Sequence, residues 1–153
     1  MINHTFSHRD DGAVYACFFV RGNTSDDNER FMYVGNVGTS PANANDAETK
    51  IIMPYGGTLL SYKWKVLDSI SSVSTAIFRV ASGATIDDVD QVGNRIVAVS
   101  VSSPTQYTSY DAMVNINPIS ISKGDALAFS HIGPASGGNR EIDAVVTFKF
   151  DIN

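Results

Sequence analysis

Cys17 is the only cysteine of the chain, so no internal disulfide can staple the fold. Charge is also scarce. Only 18% of residues are charged, and apolar residues make up 43%, a balance that suits a packed domain and not a disordered chain. No apolar run approaches the roughly 20 residues that a membrane-spanning helix requires. The opening stretch "MINHTFSHRDDG" has no apolar h-region, so it does not read as a secretory signal. A chain folded in a cytoplasm is expected, and the Asn23-Thr24-Ser25 sequon is discounted on that ground. Cations are few: eleven Lys and Arg against sixteen Asp and Glu, for a net charge of -5. They are scattered, whereas binding to nucleic acid needs clustered cations to neutralise phosphates. Only Lys63 and Lys65 lie close together, on one face of an expected strand.

What is present is alternation. At 153 residues one domain can bury roughly 68–70% of its unfolded surface, enough for a core without a metal or disulfide. In "EIDAVVTFKFDI" the apolar residues Ile142, Ala144, Val146, Phe148, Phe150 and Ile152 alternate with a mostly polar set. That period of two is a strand with one buried face. "TLLSYKWKVLDS" places Leu60, Tyr62, Trp64 and Val66 on one face and Ser61, Lys63 and Lys65 opposite. "RIVAVSVSS" groups Val97, Val99 and Val101. "VYACFFV", residues 14–20, is apolar throughout and reads as a strand covered on both faces, with Cys17 a buried inert thiol. Shorter candidates are "RFMYVGN", "TKIIMPY", "STAIFRVA", "SYDAMVNI" and "DALAFSHI". Glycine, proline and asparagine clusters punctuate them. Helical turns are conceivable only at residues 43–49 and 84–91.

The expectation is therefore an all-β chain. A short N-terminal arm, residues 1–13, precedes one antiparallel β-sandwich, residues 14–153, with roughly eight or nine strands. A jelly roll closes two Greek keys at this length and protects its edges. An immunoglobulin-like sandwich is the runner-up, lacking here its paired cysteines.

Chemistry is hard to find. His4 and His8 are spaced for zinc only on a helix, and no third ligand joins them at a recognisable spacing. His131 ends a strand. "HRDDG" has no phosphate loop or strand lysine to accompany it, and no nucleophile elbow or metalloprotease helix occurs. The acidic stretches at 26–29 and 87–90 offer hard oxygen donors but not the spacing of an EF-hand, and read as solvated turns. The reading is non-enzymatic, without cofactor or metal. A sugar platform is a separate possibility: Tyr107 and Tyr110, with Asp111 as a polar partner, lie in "SPTQYTSYDA". The bland alternative for such tyrosines is packing at a strand border with a wet hydroxyl.

Four stretches in order, "MPYGGTLLSYKWKV", "STAIFRVASGATI", "ISISKGDALAF" and "AVVTFKFDIN", resemble segments of small jelly-roll virion proteins of tailed bacteriophages. The resemblance covers residues 30 to 153. It implies a structural protein made in the host cytoplasm and carried on the capsid surface, as a cement or head-fibre protein. The alternative it implies is the receptor-binding or glycan-binding knob of a tail fibre. Homotrimers are common there, so the implied partners are copies of the chain, the major capsid protein or another virion protein, and for the knob a host surface glycan. The family carries no catalytic set. Aromatics favour interface cores, which makes Phe6, Tyr55, Trp64 and Phe150 the candidate intersubunit contacts. Lys123-Gly124-Asp125 reads as a tight corner of the jelly roll. Gly124 supplies a positive φ, Asp125 bonds the turn and Lys123 faces water.

Overall fold

The computed structural model describes residues 5–8, 13–24, 28–35, 50–83, 94–113, 116–133 and 140–152. Among these residues there are eleven strands. They are β1 (Thr5–His8), β2 (Ala13–Thr24), β3 (Glu29–Val34), β4 (Ile51–Ile52), β5 (Gly57–Val66) and β6 (Val73–Ala81). Then follow β7 (Arg95–Ser102), β8 (Tyr110–Asp111), β9 (Ile119–Ile121), β10 (Ala126–Ile132) and β11 (Arg140–Asp151). The stretches 43–49 and 84–91 lie outside the described residues.

Every pairing is antiparallel. The path runs β7-β6-β10-β3-β2-β11-β5-β8. β1 adds to β2, β4 to β10 and β9 to β5. β3 and β4 lie end to end along β10, and β8 and β9 lie end to end along β5. Counting each of these pairs as one interrupted strand, and β1 as a flap, leaves eight positions. Their orders are 1-8-3-6 in one leaf and 2-7-4-5 in the other. First beside last and second beside seventh is the winding of two Greek keys into a jelly roll. The all-β sandwich is as expected. The strand count exceeds the expectation because two strands are interrupted, and because four residues of the arm, β1, pair with β2 in the register Thr5↔Cys17 to His8↔Val14. β3 belongs to both leaves. Its first residues pair with β10 and its last two with β2, so the sandwich is one curled sheet.

β11 follows its alternation from Ile142 to Phe150. β5 does not. Thr147 pairs with Ser61 but Phe148 pairs with Leu59, so Leu60 is an extra, bulged residue. A bulge shifts every later residue to the other face. Leu59 is therefore buried at 0% exposure and Leu60 stands out at 37%, reversing the expected roles of these two leucines while Tyr62, Trp64 and Val66 face inward as expected. Leu59→Ala is predicted to cost about 2–5 kcal/mol, and Leu60→Ser no more than about 0.5 kcal/mol. Urea unfolding of both variants checks the register, and equal losses would disprove it.

"VYACFFV" departs from its expectation too. Phe19 is 55% exposed, and Cys17 is half-buried with its Sγ 3.5 Å from Thr147 Oγ1. β2 is covered on its inner face only, because nothing among the described residues lies over its outer one.

The core between the leaves is aromatic. Tyr62 meets Phe129 edge-on at 5.5 Å, Phe129 meets Phe78 at 5.1 Å, and Trp64 lies 5.1 Å from the His131 ring. β10 is buried on both faces from Ala126 to His131. On its outer side sits an ion cluster. Glu29 accepts two hydrogen bonds from Arg79, at 2.8 Å and 2.5 Å, and further ones from Arg95 and Ser130. A second bulge places Arg95 there. Phe78 pairs with Val97 but Arg79 pairs with Arg95, leaving Ile96 extra and turning Arg95 to the side of Arg79. Burial pushes the Glu29 carboxyl up, but the bonds from Arg79, Ser130 and Arg95 outweigh that and hold it below its usual 4.5.

Candidate contact sites on the sandwich

The corner Lys123-Gly124-Asp125 braces one wall of the first site from behind. Gly124 has φ +89°, in the left-handed region where a glycine costs nothing sterically. Asp125 Oδ2 accepts a 2.7 Å bond from the Ser122 amide, and Lys123 is exposed. The turn is laced to Met53: the Gly124 amide donates to Met53 O at 2.8 Å, and the Met53 amide to Asp125 O at 2.9 Å. Those two bonds hold the segment from Ile51 to Tyr55 across the mouth of the sandwich. Opposite stand the inward-facing Val14 and Phe18 of β2 and Phe150 of β11.

Between them is a cleft of about 540 Å³. Met53 is buried at its floor, while Ile52, Tyr55 and Ile152 form a rim exposed at 49%, 47% and 45%. Every lining side chain is apolar except for the Tyr55 hydroxyl. Phe148 stacks on Phe150 with ring centroids 6.0 Å apart, and Tyr55 meets Phe150 edge-on at 6.5 Å. Such a surface gains by excluding water. Among the described residues that line it, none is a carboxylate, imidazole, amine or thiol.

The four aromatics proposed from sequence as contacts separate here. Tyr55 and Phe150 come together at the cleft. Trp64 does not: it is 1% exposed in the core, between Tyr110 at 5.2 Å and His131 at 5.1 Å. Its large ring is consumed by core packing, so it has no surface to offer a partner. Phe6 lies on β1, opposite Ala16, and its side chain is outside the described residues. The rim residues Ile52 and Ile152 were missed. Ile152 reads from sequence as the last inward residue of β11, but the ladder ends at Asp151 and nothing then fixes its side to the core.

The sugar candidates also part. The Tyr110 hydroxyl accepts a 2.7 Å bond from the Thr105 amide, and its ring lies on Trp64. Asp111 Oδ1 accepts 2.8 Å from the Met113 amide. Both are engaged in shaping their loop. Tyr107 alone stands free of the surface, 67% exposed, with φ +61° and its amide bonded to Val66 O at 2.9 Å.

His131 is buried at 1% exposure, and neither ring nitrogen has a hydrogen-bond partner. Burial pushes its pKa down to about 3, so the ring is neutral at ordinary pH. His4 and residues 87–90 lie outside the described residues, as does the side chain of His8. Of the other acidic stretch, Glu29 is bound up in the ion cluster. Among the described residues no three His, Cys, Asp or Glu converge as metal ligands, and no helix is long and apolar enough to cross a membrane. No protein-family model and no curated protein matches this chain.

Proposed function

We propose that the protein is a non-enzymatic structural component of a tailed-phage virion, a cement or head-fibre protein on the capsid exterior, working as a homotrimer. The observation that carries this reading is the cleft. Three large apolar side chains are exposed around it, and its lining offers binding area that is apolar apart from the Tyr55 hydroxyl. Exposed apolar patches of that kind mark protein contacts. Tyr55, braced edge-on by Phe150, is the natural anchor, since aromatics dominate interface hot spots. The net charge of -5 keeps the remaining surface soluble. The four stretches that resemble phage virion proteins point the same way, and the jelly roll is the fold that resemblance implies.

Mass spectrometry of gradient-purified particles is the direct test. The chain should be present in fixed ratio to the major capsid protein. Tyr55→Ala should weaken rebinding to stripped capsids at least tenfold, the scale of losing an interface hot spot of about 1.4–2 kcal/mol. Absence from intact particles, with no binding to capsids, would falsify the reading. The tail-fibre knob draws its support from Tyr107 alone. Loss of host-cell binding in Tyr107→Ala, with capsid binding unchanged, would favour it.

A further inference from the structure

The two outward faces of the sandwich are unlike. At the middle of the leaf containing β10, the outward residues Ile77, Ala126, Ala128 and Ser130 are all at 0% exposure, and its exposed apolar residues, Val73 and Ile96, lie at the start of β6 and on the edge strand β7. On the leaf of β2, β11 and β5, the outward Phe19 is 55% exposed. From this contrast and what surrounds Phe19, we infer that the outward face of the β2-β11-β5 leaf is the surface on which a second copy of this chain docks. The inference rests on the reading that the protein works as an oligomer, and names where its copies meet.

Strand register lays the face out in rows. One row runs Phe19, Val145, Lys63, Asp111. The next holds Cys17, Thr147 and Ser61, all small and uncharged. Charges flank these rows. On one side Arg21 donates to Asp143 at 2.8 Å, with Lys65 3.9 Å from the same carboxylate. On the other lie Lys149 and, beyond it, Asp151. Phe19 and Val145 with Cys17, Thr147 and Ser61 make an apolar, weakly polar centre, and Lys63 and Asp111, at the far end of the first row, join the charged rim, which is the anatomy of a protein interface. Beside Phe19 and Val145 a groove of about 240 Å³ runs between Lys63, Lys65 and Ser109, room for a side chain of the facing copy.

Charge selects a copy of the chain as the occupant. Molecules of net charge -5 repel one another, and contact is least opposed where that charge is missing. This face carries four cations, Arg21, Lys63, Lys65 and Lys149, and four carboxylates, Asp111, Glu141, Asp143 and Asp151. It is neutral on an acidic molecule. Its size also fits. β2 and β11 have twelve residues each, β5 has ten, and β8 and β9 have two and three, so the face covers roughly 640 Å² at about 3.4 Å per residue and 4.8 Å per strand. A stable interface takes about 600–1,000 Å² from each partner.

Analytical ultracentrifugation tests this at concentrations up to about 100 µM. The wild type should sediment as an oligomer, and Phe19→Glu as a monomer with an unchanged circular dichroism spectrum. Lys63→Glu, a substitution at an exposed rim position, should shift the same equilibrium at least tenfold and covers the case in which Phe19→Glu does not fold. Ile96→Glu alters an apolar residue of similar exposure on the other leaf, and should leave the oligomer intact. A wild type that is monomeric throughout overturns the inference. So does an oligomer that survives both substitutions, or one dissolved by Ile52→Glu at the cleft instead. Particle binding is scored separately. A chain that oligomerises through this face yet never enters virions would sink the virion reading and leave the interface standing.

Discussion

Acidification from pH 6.5 toward 3 is expected to destabilise the protein by about 1.4 kcal/mol per pH unit. The cause is His131. Its imidazole is buried against Trp64 with both nitrogens unpartnered, and burial holds its pKa at about 3. In the unfolded chain the same ring titrates near 6.5. Between those two values the unfolded state binds a proton that the folded state refuses. Stability is therefore full above pH 6.5, falls steadily as pH drops, and stops falling below about 3. The total is on the order of 5 kcal/mol, a large part of the 5–15 kcal/mol that domains usually have. Glu29 adds to the loss with the same sign. Its folded pKa lies below 4.5, so its contribution is present above that value and disappears as pH falls through the folded one. Urea midpoints at pH 7, 6 and 5 isolate the histidine, because Glu29 is ionised throughout. His131→Phe keeps a ring against Trp64 and removes the proton site, so its stability should be nearly flat over that range. Parallel slopes for wild type and variant would show that His131 is not the cause.

Arg79→Met is predicted to cost about 3–5 kcal/mol. The guanidinium is 1% exposed, lies 5.6 Å over the Phe31 ring, and supplies two of the bonds to Glu29. Removing it strands a carboxylate whose side chain is only 13% exposed. Arg95 cannot make up the loss, because it reaches a single oxygen from a position that is 30% exposed. A buried pair removed whole is tolerated better than a pair broken. The double variant Glu29→Met with Arg79→Met should therefore recover much of the stability lost by Arg79→Met alone. A double-mutant cycle in urea measures this. Additive losses would mean that the two side chains do not act as a pair.

The fold was legible wherever a strand keeps strict alternation with one wet face. β11 shows this from Ile142 to Phe150, and so do the glycine and asparagine corners, Gly124 above all. It was illegible where alternation breaks. Nothing in "TLLSYK" marks Leu60 as a bulge rather than Leu59, since both are leucines and the partner strand decides. Apolar runs were also ambiguous. "VYACFF" reads like "ALAF", but β10 lies in mid-leaf under an ion cluster while β2 turns Phe19 to water. The contact sites were legible in part. Tyr55 and Phe150 were singled out as large aromatics, and the chain brings them together at the cleft. Trp64 was singled out for the same reason and belongs to the core, because composition cannot tell an interface aromatic from a buried one. The ion cluster left one sign that went unread. Arg79 interrupts "AIFRVA", and an arginine within an apolar strand calls for a buried carboxylate somewhere else in the chain.

The pairing of β2 with β11 has a kinetic side. Thr147 and Cys17, neighbours across that ladder, are 130 positions apart in sequence. The middle strand of the leaf is thus made long after the strand it joins. Contacts of such separation close large loops before they are rewarded, and folds built on them form slowly. During synthesis β2 must wait, the edge that β11 will pair left open, until β11 has left the ribosome. Its length and apolar content make it a segment for a chaperone to shield in that interval.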